Sequence, residues 1–283
     1  MHLFAARLSA TLLLIGTGSL SSPRASAHGD VHETIVALTA EIAASPPNVG
    51  ELHLRRGQMH RVHGDPDAAA ADFNAAEKLA PDLVEVDLAR GELLSEATRF
   101  DEARAAIDRY LGRRPNSSVG FAARARMLVR AGEHLAAAAD FAKAAALAPE
   151  PDPTLFIEQA RALEMAGLHE KAVQTLEEAI ARRGSLVALV QTALEIADAH
   201  GSTEKALEHV DQLLAGAARK ERWLARKGAL LEKMGRAAES RECYLQAQKA
   251  LAAVPAARRN SAAMAELSQE LAAALLRSEH LAP

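Results

Sequence analysis

The sequence has few aromatic residues, a single cysteine and no long apolar segment beyond its first 20 residues. Aromatic residues make up 3% of the 283 positions, and strands favour aromatic and β-branched residues, so the composition disfavours a β-rich fold. The lone Cys243 excludes an intrachain disulfide and a zinc site built on two or more thiolates. Cys243 lies within a predicted repeat helix, which favours a buried packing role. An intermolecular disulfide is the alternative.

Motifs that carry catalytic chemistry are also missing. The sequence contains no glycine-rich phosphate loop, no GxSxG nucleophile motif, no HExxH and no CxxC. The formal net charge is −4, and no clustered basic surface of the kind that binds nucleic acid is apparent. We therefore predict a protein that is not an enzyme, uses no cofactor and does not bind nucleic acid.

The first 27 residues have the order of a secretory signal peptide. Arg7 supplies positive charge, residues 8–20 are mostly apolar or small, and residues 25–27 form a small-x-small cleavage site. The alternative is a retained membrane-anchoring helix, but this apolar run is shorter than the roughly 20 residues needed to span a bilayer. We predict cleavage before His28, export to the bacterial periplasm or the outside of the cell, and no membrane attachment afterwards.

The rest of the chain is dominated by an internal period of 34 residues. A capping helix is predicted over 28–49 and another over 255–283, since each carries an amphipathic helical pattern next to prolines. Between them we place six repeats, numbered 1 to 6, at 50–83, 84–117, 118–151, 153–186, 187–220 and 221–254.

Within the repeats, small residues recur at positions 8, 20 and 27, a bulky residue at position 24 and proline at position 32. Repeat 1 carries Gly57, Ala69, Phe73, Ala76 and Pro81 at these positions. In repeat 3 they are Ala125, Ala137, Phe141, Ala144 and Pro149. This spacing resembles the tetratricopeptide repeat family. Repeats 4 to 6 depart from the pattern because they lack the closing proline.

The resemblance implies an all-α fold, a right-handed α-solenoid of about six helix-turn-helix repeats with N- and C-terminal capping helices. It also implies a non-catalytic scaffold or adaptor that binds a peptide or protein partner in a concave groove lined by the first helix of each repeat. No oligomeric state is predicted. The groove residues that the resemblance implies are Arg61, Glu92, Glu96, Arg126, Arg130, Arg161 and Glu195.

Three of these candidates, Arg126, Arg130 and Arg161, would make the middle of the groove basic, with acidic residues on either side. A guanidinium can form two parallel hydrogen bonds to one carboxylate. We therefore hypothesise that these arginines bind a carboxylate of the partner, such as a peptide C-terminus. The alternative is that they are solvated surface charges.

Histidines are concentrated near the start of the predicted mature chain. His28, His32, His60 and His63 are candidate metal ligands, because imidazole and a free α-amine suit copper, nickel or zinc. His60 and His63 are three residues apart, so they share one side of a helix. The resulting alternative function is a metal-associated accessory protein, and ordinary packing of these histidines is the competing interpretation.

Overall fold

The computed structural model describes residues 23–259 and 261–280, and the chain divides into two compact units, residues 1–86 and 87–283. All regular secondary structure in the described ranges is helical. This confirms the predicted all-α class. Among the described residues, no helix combines the length and the apolar character needed to cross a membrane.

Unit 1 contains α1 (Pro23–Ala43), α2 (Val49–His63), α3 (Pro66–Leu79) and the first two residues of α4 (Glu85–Glu96). The helix α1 starts before the predicted cleavage position at His28 and continues through it. Residues 1–22 of the predicted signal peptide lie outside the described residues, so cleavage and export stay predictions.

Unit 2 contains the rest of α4 and all later helices. They are α5 (Phe100–Arg113), α6 (Ser118–Arg130), α7 (His134–Leu147), α8 (Pro153–Met165), α9 (His169–Arg183), α10 (Val187–Ala199), α11 (Thr203–Gly216), α12 (Glu221–Lys233), α13 (Ala237–Ala252), α14 (Ala256–Arg259) and α15 (Ala262–His280). Each predicted repeat therefore holds two helices, which we call helix A and helix B. The C-terminal segment holds a four-residue helix followed by a long one, where the sequence pattern suggested one helix.

The two helices of a repeat touch where a small residue of helix A meets a bulky residue of helix B. A Cβ added at Gly57 would lie 2.6 Å from the Phe73 ring, and one at Gly228 would lie 2.7 Å from the Tyr244 ring. Real Cβ atoms do not come that close, so these helices approach only because a side chain is absent. The position 24 residues are buried in every repeat: Phe73, Ile107, Phe141, Leu176, Val210 and Tyr244.

The turn from helix A to helix B uses a left-handed residue at position 15 of each repeat. Five repeats have glycine there, with φ between 73° and 87°: Gly64, Gly132, Gly167, Gly201 and Gly235. Repeat 2 has Thr98 at φ 59°, a conformation that strains a β-branched residue. In repeat 1, the Gly64 amide donates to the Arg61 carbonyl and the Asp65 side chain accepts from the Ala68 amide, which caps both helix ends.

Cys243 packs as a small apolar residue on α13. It is 8% exposed and unpaired. Burial raises the pKa of its thiol, so the reactive thiolate is disfavoured near neutral pH. This environment agrees with the packing interpretation, whereas an intermolecular disulfide would need an exposed sulfur.

Candidate functional site

Successive A helices of unit 2 are joined by ion pairs in which the arginines are exposed and the carboxylates range from exposed to nearly buried. Arg126 of α6 binds Glu158 of α8, and Arg161 of α8 binds Glu195 of α10. The series continues from α10 to α12, where Asp198 accepts from both Arg226 and Lys233. The A helices therefore share one continuous polar surface. We call the exposed side of α6, α8, α10 and α12, together with residues 87–96 of α4, the helix A surface.

The guanidinium of Arg126 already binds a carboxylate of the chain itself. Its Nε and Nη2 donate to the two carboxylate oxygens of Glu158, each at 2.8 Å. These hydrogen bonds raise the pKa of the Arg126 guanidinium despite partial burial, and Glu92 on α4 adds to the effect. The geometry is the one hypothesised for a partner's carboxylate, with a residue of the chain itself as the acceptor.

Arg161 lies between two glutamates. It donates to Glu164 at 2.9 Å and to Glu195 at 2.6 Å. His200, at the end of α10, lies 3.0 Å from the other oxygen of Glu164. Burial of Glu164 opposes its ionisation, but the hydrogen bonds from Arg161 and His200 outweigh this and lower its pKa. The cluster around Arg161 therefore connects Glu164 of repeat 4 with Glu195 and His200 of repeat 5.

The remaining candidates lie at the edges of this network. Arg130 donates to the backbone carbonyl of Glu96 at 3.1 Å, which joins α6 to α4. Glu92 is close enough to Arg126 to affect its pKa. Arg61 lies on α2 in unit 1, apart from the unit that holds the other six candidates.

Three residues of this surface were missed at the sequence level: Glu158, Arg226 and Lys233. Glu158 follows Arg126 by 32 residues and Lys233 follows Asp198 by 35. Both spacings are close to the 34-residue period, so a search for opposite charges one period apart would have found them. The middle of the surface is therefore not simply basic, because Arg126 and Arg161 each pair with a carboxylate of the chain itself.

The candidate metal ligands do not converge among the described residues. The rings of His32 and His63 have centroids 6.3 Å apart, and His60 Nε2 lies 3.9 Å from Asp72. The side chain of His28 lies outside the described part. Where side chains are described, no group of three or more His, Cys, Asp or Glu residues could hold a metal ion. The metal hypothesis thus has no structural support.

Two histidines of α2, His53 and His60, instead lie beside a buried carboxylate. His53 Nδ1 lies 2.7 Å from Asp72, and Arg56 donates to both oxygens of Asp72 at 2.7 and 2.8 Å. Burial of Asp72 disfavours its charge, but these hydrogen bonds outweigh burial and lower its pKa. Asp72 is 4% exposed. This cluster therefore ties α2 to α3 inside repeat 1, which favours the packing interpretation.

Comparison with known proteins confirms that the chain contains tetratricopeptide repeats. Residues 23–84 and residues 63–127 each match a family model described as tetratricopeptide repeat. The first match includes α1, so repeat-like sequence begins before the predicted repeat 1. No curated protein matches the sequence.

Several solved structures share the fold. Part of a tetratricopeptide repeat protein from Cytophaga hutchinsonii matches with a TM-score of 0.62 and 14% identity, over 85% of this chain and 95% of that one. The type IV pilus biogenesis factor PilW matches with a TM-score of 0.56 and 22% identity, over 68% of this chain and 89% of that one. A tetratricopeptide repeat protein from Parabacteroides merdae matches with a TM-score of 0.52 and 14% identity, over 87% of this chain and 94% of that one. At these identities the likeness shows the fold alone.

The spacing of small and bulky residues, the paired helices and the family matches all agree. Proteins built from such repeats generally act by binding other proteins or peptides. Residues 23–127 therefore contain tetratricopeptide repeats, and the chain shares the fold of solved tetratricopeptide repeat proteins.

Proposed function

We propose that the chain is an exported, non-catalytic adaptor that binds a peptide or protein segment along the helix A surface. The observation that carries this proposal is the unbroken series of ion pairs, each with an exposed arginine, that links the A helices of repeats 3 to 6. Despite partial burial, hydrogen bonds to carboxylates raise the pKa values of Arg126 and Arg161, so both guanidinium groups remain cationic. A permanently charged, paired surface suits recognition rather than proton transfer.

Binding would exchange internal ion pairs for pairs with the partner. An exposed ion pair contributes about 0–1 kcal/mol, so opening the Arg126–Glu158 or Arg161–Glu195 pair costs little. Exposed apolar side chains lie on the same helices and can anchor the partner: Val119 on α6 is 62% exposed and Met165 on α8 is 58% exposed. Alternating charge signs favour a protein partner over the uniformly negative backbone of a nucleic acid.

Affinity capture with the full chain tests this proposal, with quantification of each captured protein by mass spectrometry. Arg161→Glu places three acidic side chains together and should lower the affinity for the genuine partner about tenfold or more, since like charges at an interface are costly. Arg182→Glu is the matched control, because Arg182 lies on helix B of the same repeat with its side chain 72% exposed. A partner retained equally by both variants would contradict binding on the helix A surface.

Export is tested separately by fractionation of cells that express the full chain. We expect the protein outside the cytoplasm with a mature N-terminus at His28, because the small residues 25–27 form the cleavage site. An N-terminal sequence that begins at residue 1 or 2, in the cytoplasmic fraction, would contradict export.

A further inference from the structure

A cleft of about 600 Å³ lies between α12 and α15, within the size range of sites that bind small molecules or single side chains. The α12 wall is the last part of the helix A surface, so the cleft continues that surface to its C-terminal end. Five alanines line it. These small side chains leave the two helices apart and give the cleft its room.

The floor of the cleft is fixed and uncharged. Tyr244 lies there, and its hydroxyl donates to Glu232 at 2.8 Å. Burial and this hydrogen bond raise the pKa of Tyr244 to about 12. The ring is held against α12 because Gly228 has no side chain that would collide with it. Tyr244 is 4% exposed, so its ring forms a neutral floor and most of the apolar lining comes from the neighbouring alanines.

The two walls carry opposite charges. Arg222 and Arg226 lie one turn apart on α12, and Glu266 and Glu270 lie one turn apart on α15. Neighbouring like charges on a helix are mildly destabilising. Among the residues that the structure describes, Arg222, Glu266 and Glu270 form no ion pair. Arg277 of α15 also lines the cleft and pairs with Glu232 of α12 at 3.4 Å. Elsewhere the opposite charges of the two walls do not pair across the cleft, unlike the surface between α6 and α10, where Arg126 and Arg161 are paired.

We propose that this cleft is a recognition site for a peptide segment of the partner in which an apolar residue lies between an acidic and a basic residue. The acidic side chain pairs with Arg222 and the basic side chain pairs with Glu266 and Glu270. The apolar side chain lies over the alanines and the Tyr244 ring. This inference rests on the proposed adaptor function and identifies the part of the surface that recognises the charged side chains of the partner.

The test uses a displayed library of random 12-residue peptides selected on the immobilised full chain. Selected peptides are then synthesised and their affinities measured by fluorescence anisotropy. We expect enrichment of peptides with an acidic, an apolar and a basic residue in close succession. Arg222→Glu and the pair Glu266→Lys with Glu270→Lys should each weaken binding at least tenfold. A peptide with its acidic residue replaced by lysine should regain affinity for Arg222→Glu.

The altered side chains are exposed, and circular dichroism verifies that each variant keeps its helices; Arg222→Gln provides a milder change if reversal disturbs folding. Unchanged affinity in both charge-reversal variants would overturn the cleft proposal. If Arg161→Glu then abolishes binding, the adaptor function stands without the cleft. If neither region matters, both proposals fail. Concentration-dependent dimerisation in sedimentation runs that disappears in Arg222→Glu would also overturn the proposal, by showing that a second copy fills the cleft.

Discussion

Repeats 3 and 5 fill the same two positions with opposite chemistry. In repeat 3, Arg124 at position 7 donates to both oxygens of Asp140 at position 23, at 2.6 and 2.9 Å. In repeat 5, position 7 is Ala193 and position 23 is His209, which is 2% exposed. Neither ring nitrogen of His209 forms a hydrogen bond with a described residue. Its Nε2 lies 3.6 Å from Glu177 of the preceding repeat.

The difference shows which contacts the repeat pattern determines. Position 20 is a buried alanine in both repeats, Ala137 and Ala206, and position 24 is a buried larger side chain, Phe141 and Val210, because the two helices of a repeat meet there. Positions 7 and 23 lie beside that contact and can carry a paired charge, as in repeat 3, or an unsatisfied polar ring, as in repeat 5. A buried polar group without a partner costs free energy, so the two repeats should respond to mutation with opposite signs.

The largest effect should come from removing the buried carboxylate of repeat 3. Asp140→Ala leaves Arg124 with only Asp108, and we expect a loss of about 2 kcal/mol in the free energy of unfolding, below the range for fully buried pairs because Arg124 is partly exposed. Urea denaturation followed by circular dichroism measures this. Asp108→Ala is the control, with a much smaller loss, since Asp108 is half exposed.

Transferring the pair into repeat 5 sharpens the comparison. Ala193→Arg and His209→Asp together rebuild the arrangement of repeat 3, and we expect each single change to be destabilising. In a double-mutant cycle the two changes should couple favourably by about 1–2 kcal/mol. A coupling energy near zero would mean that the helices of repeat 5 are not spaced like those of repeat 3.

Removing the unsatisfied ring should stabilise the protein. His209→Leu introduces an apolar side chain of similar size and eliminates two buried nitrogens that form no hydrogen bond, so we expect a gain of about 1 kcal/mol. Thermal and urea midpoints report it. A clear loss of stability would show that His209 has a favourable hydrogen-bond partner in solution, such as a water molecule, and the contrast with repeat 3 would then disappear.

The smallest effect concerns acid sensitivity of the Arg–Asp arrangement in repeat 1. The pKa of Asp72 is lowered in the folded state, so its contribution is complete above the unfolded value of about 3.9. That contribution is lost as the pH falls through the lower folded value. Asp72→Asn should therefore have a lower urea midpoint at pH 6 and a flatter decline between about pH 4 and pH 2. Parallel curves for both proteins would contradict this.

The sequence predicted the fold well because steric contacts recur. Gly57 with Phe73 and Gly228 with Tyr244 follow from one spacing, and the structure shows both contacts. The polar contacts were harder to predict. Arg126 was correctly placed on helix A, but its partner Glu158 depends on how far one repeat is rotated against the next.

The C-terminal cleft was not predicted at all. It depends on the short helix α14 and on where α15 begins after it. Periodicity carries no information there, because the repeat pattern ends at Val254. The residues that line the cleft, such as Arg222 and Glu266, look like ordinary exposed helix positions in the sequence.

The central claim is that partners bind on the A helices, and site-specific photo-crosslinking tests it most directly. A photoreactive amino acid replaces Met165 on α8 in one variant and Glu178 on α9 in another, two side chains of comparable exposure in the same repeat. Irradiation in living cells followed by mass spectrometry identifies what is attached. We predict one recurrent protein partner from position 165 and none from position 178. The same partner from both positions, or from 178 alone, would contradict the account.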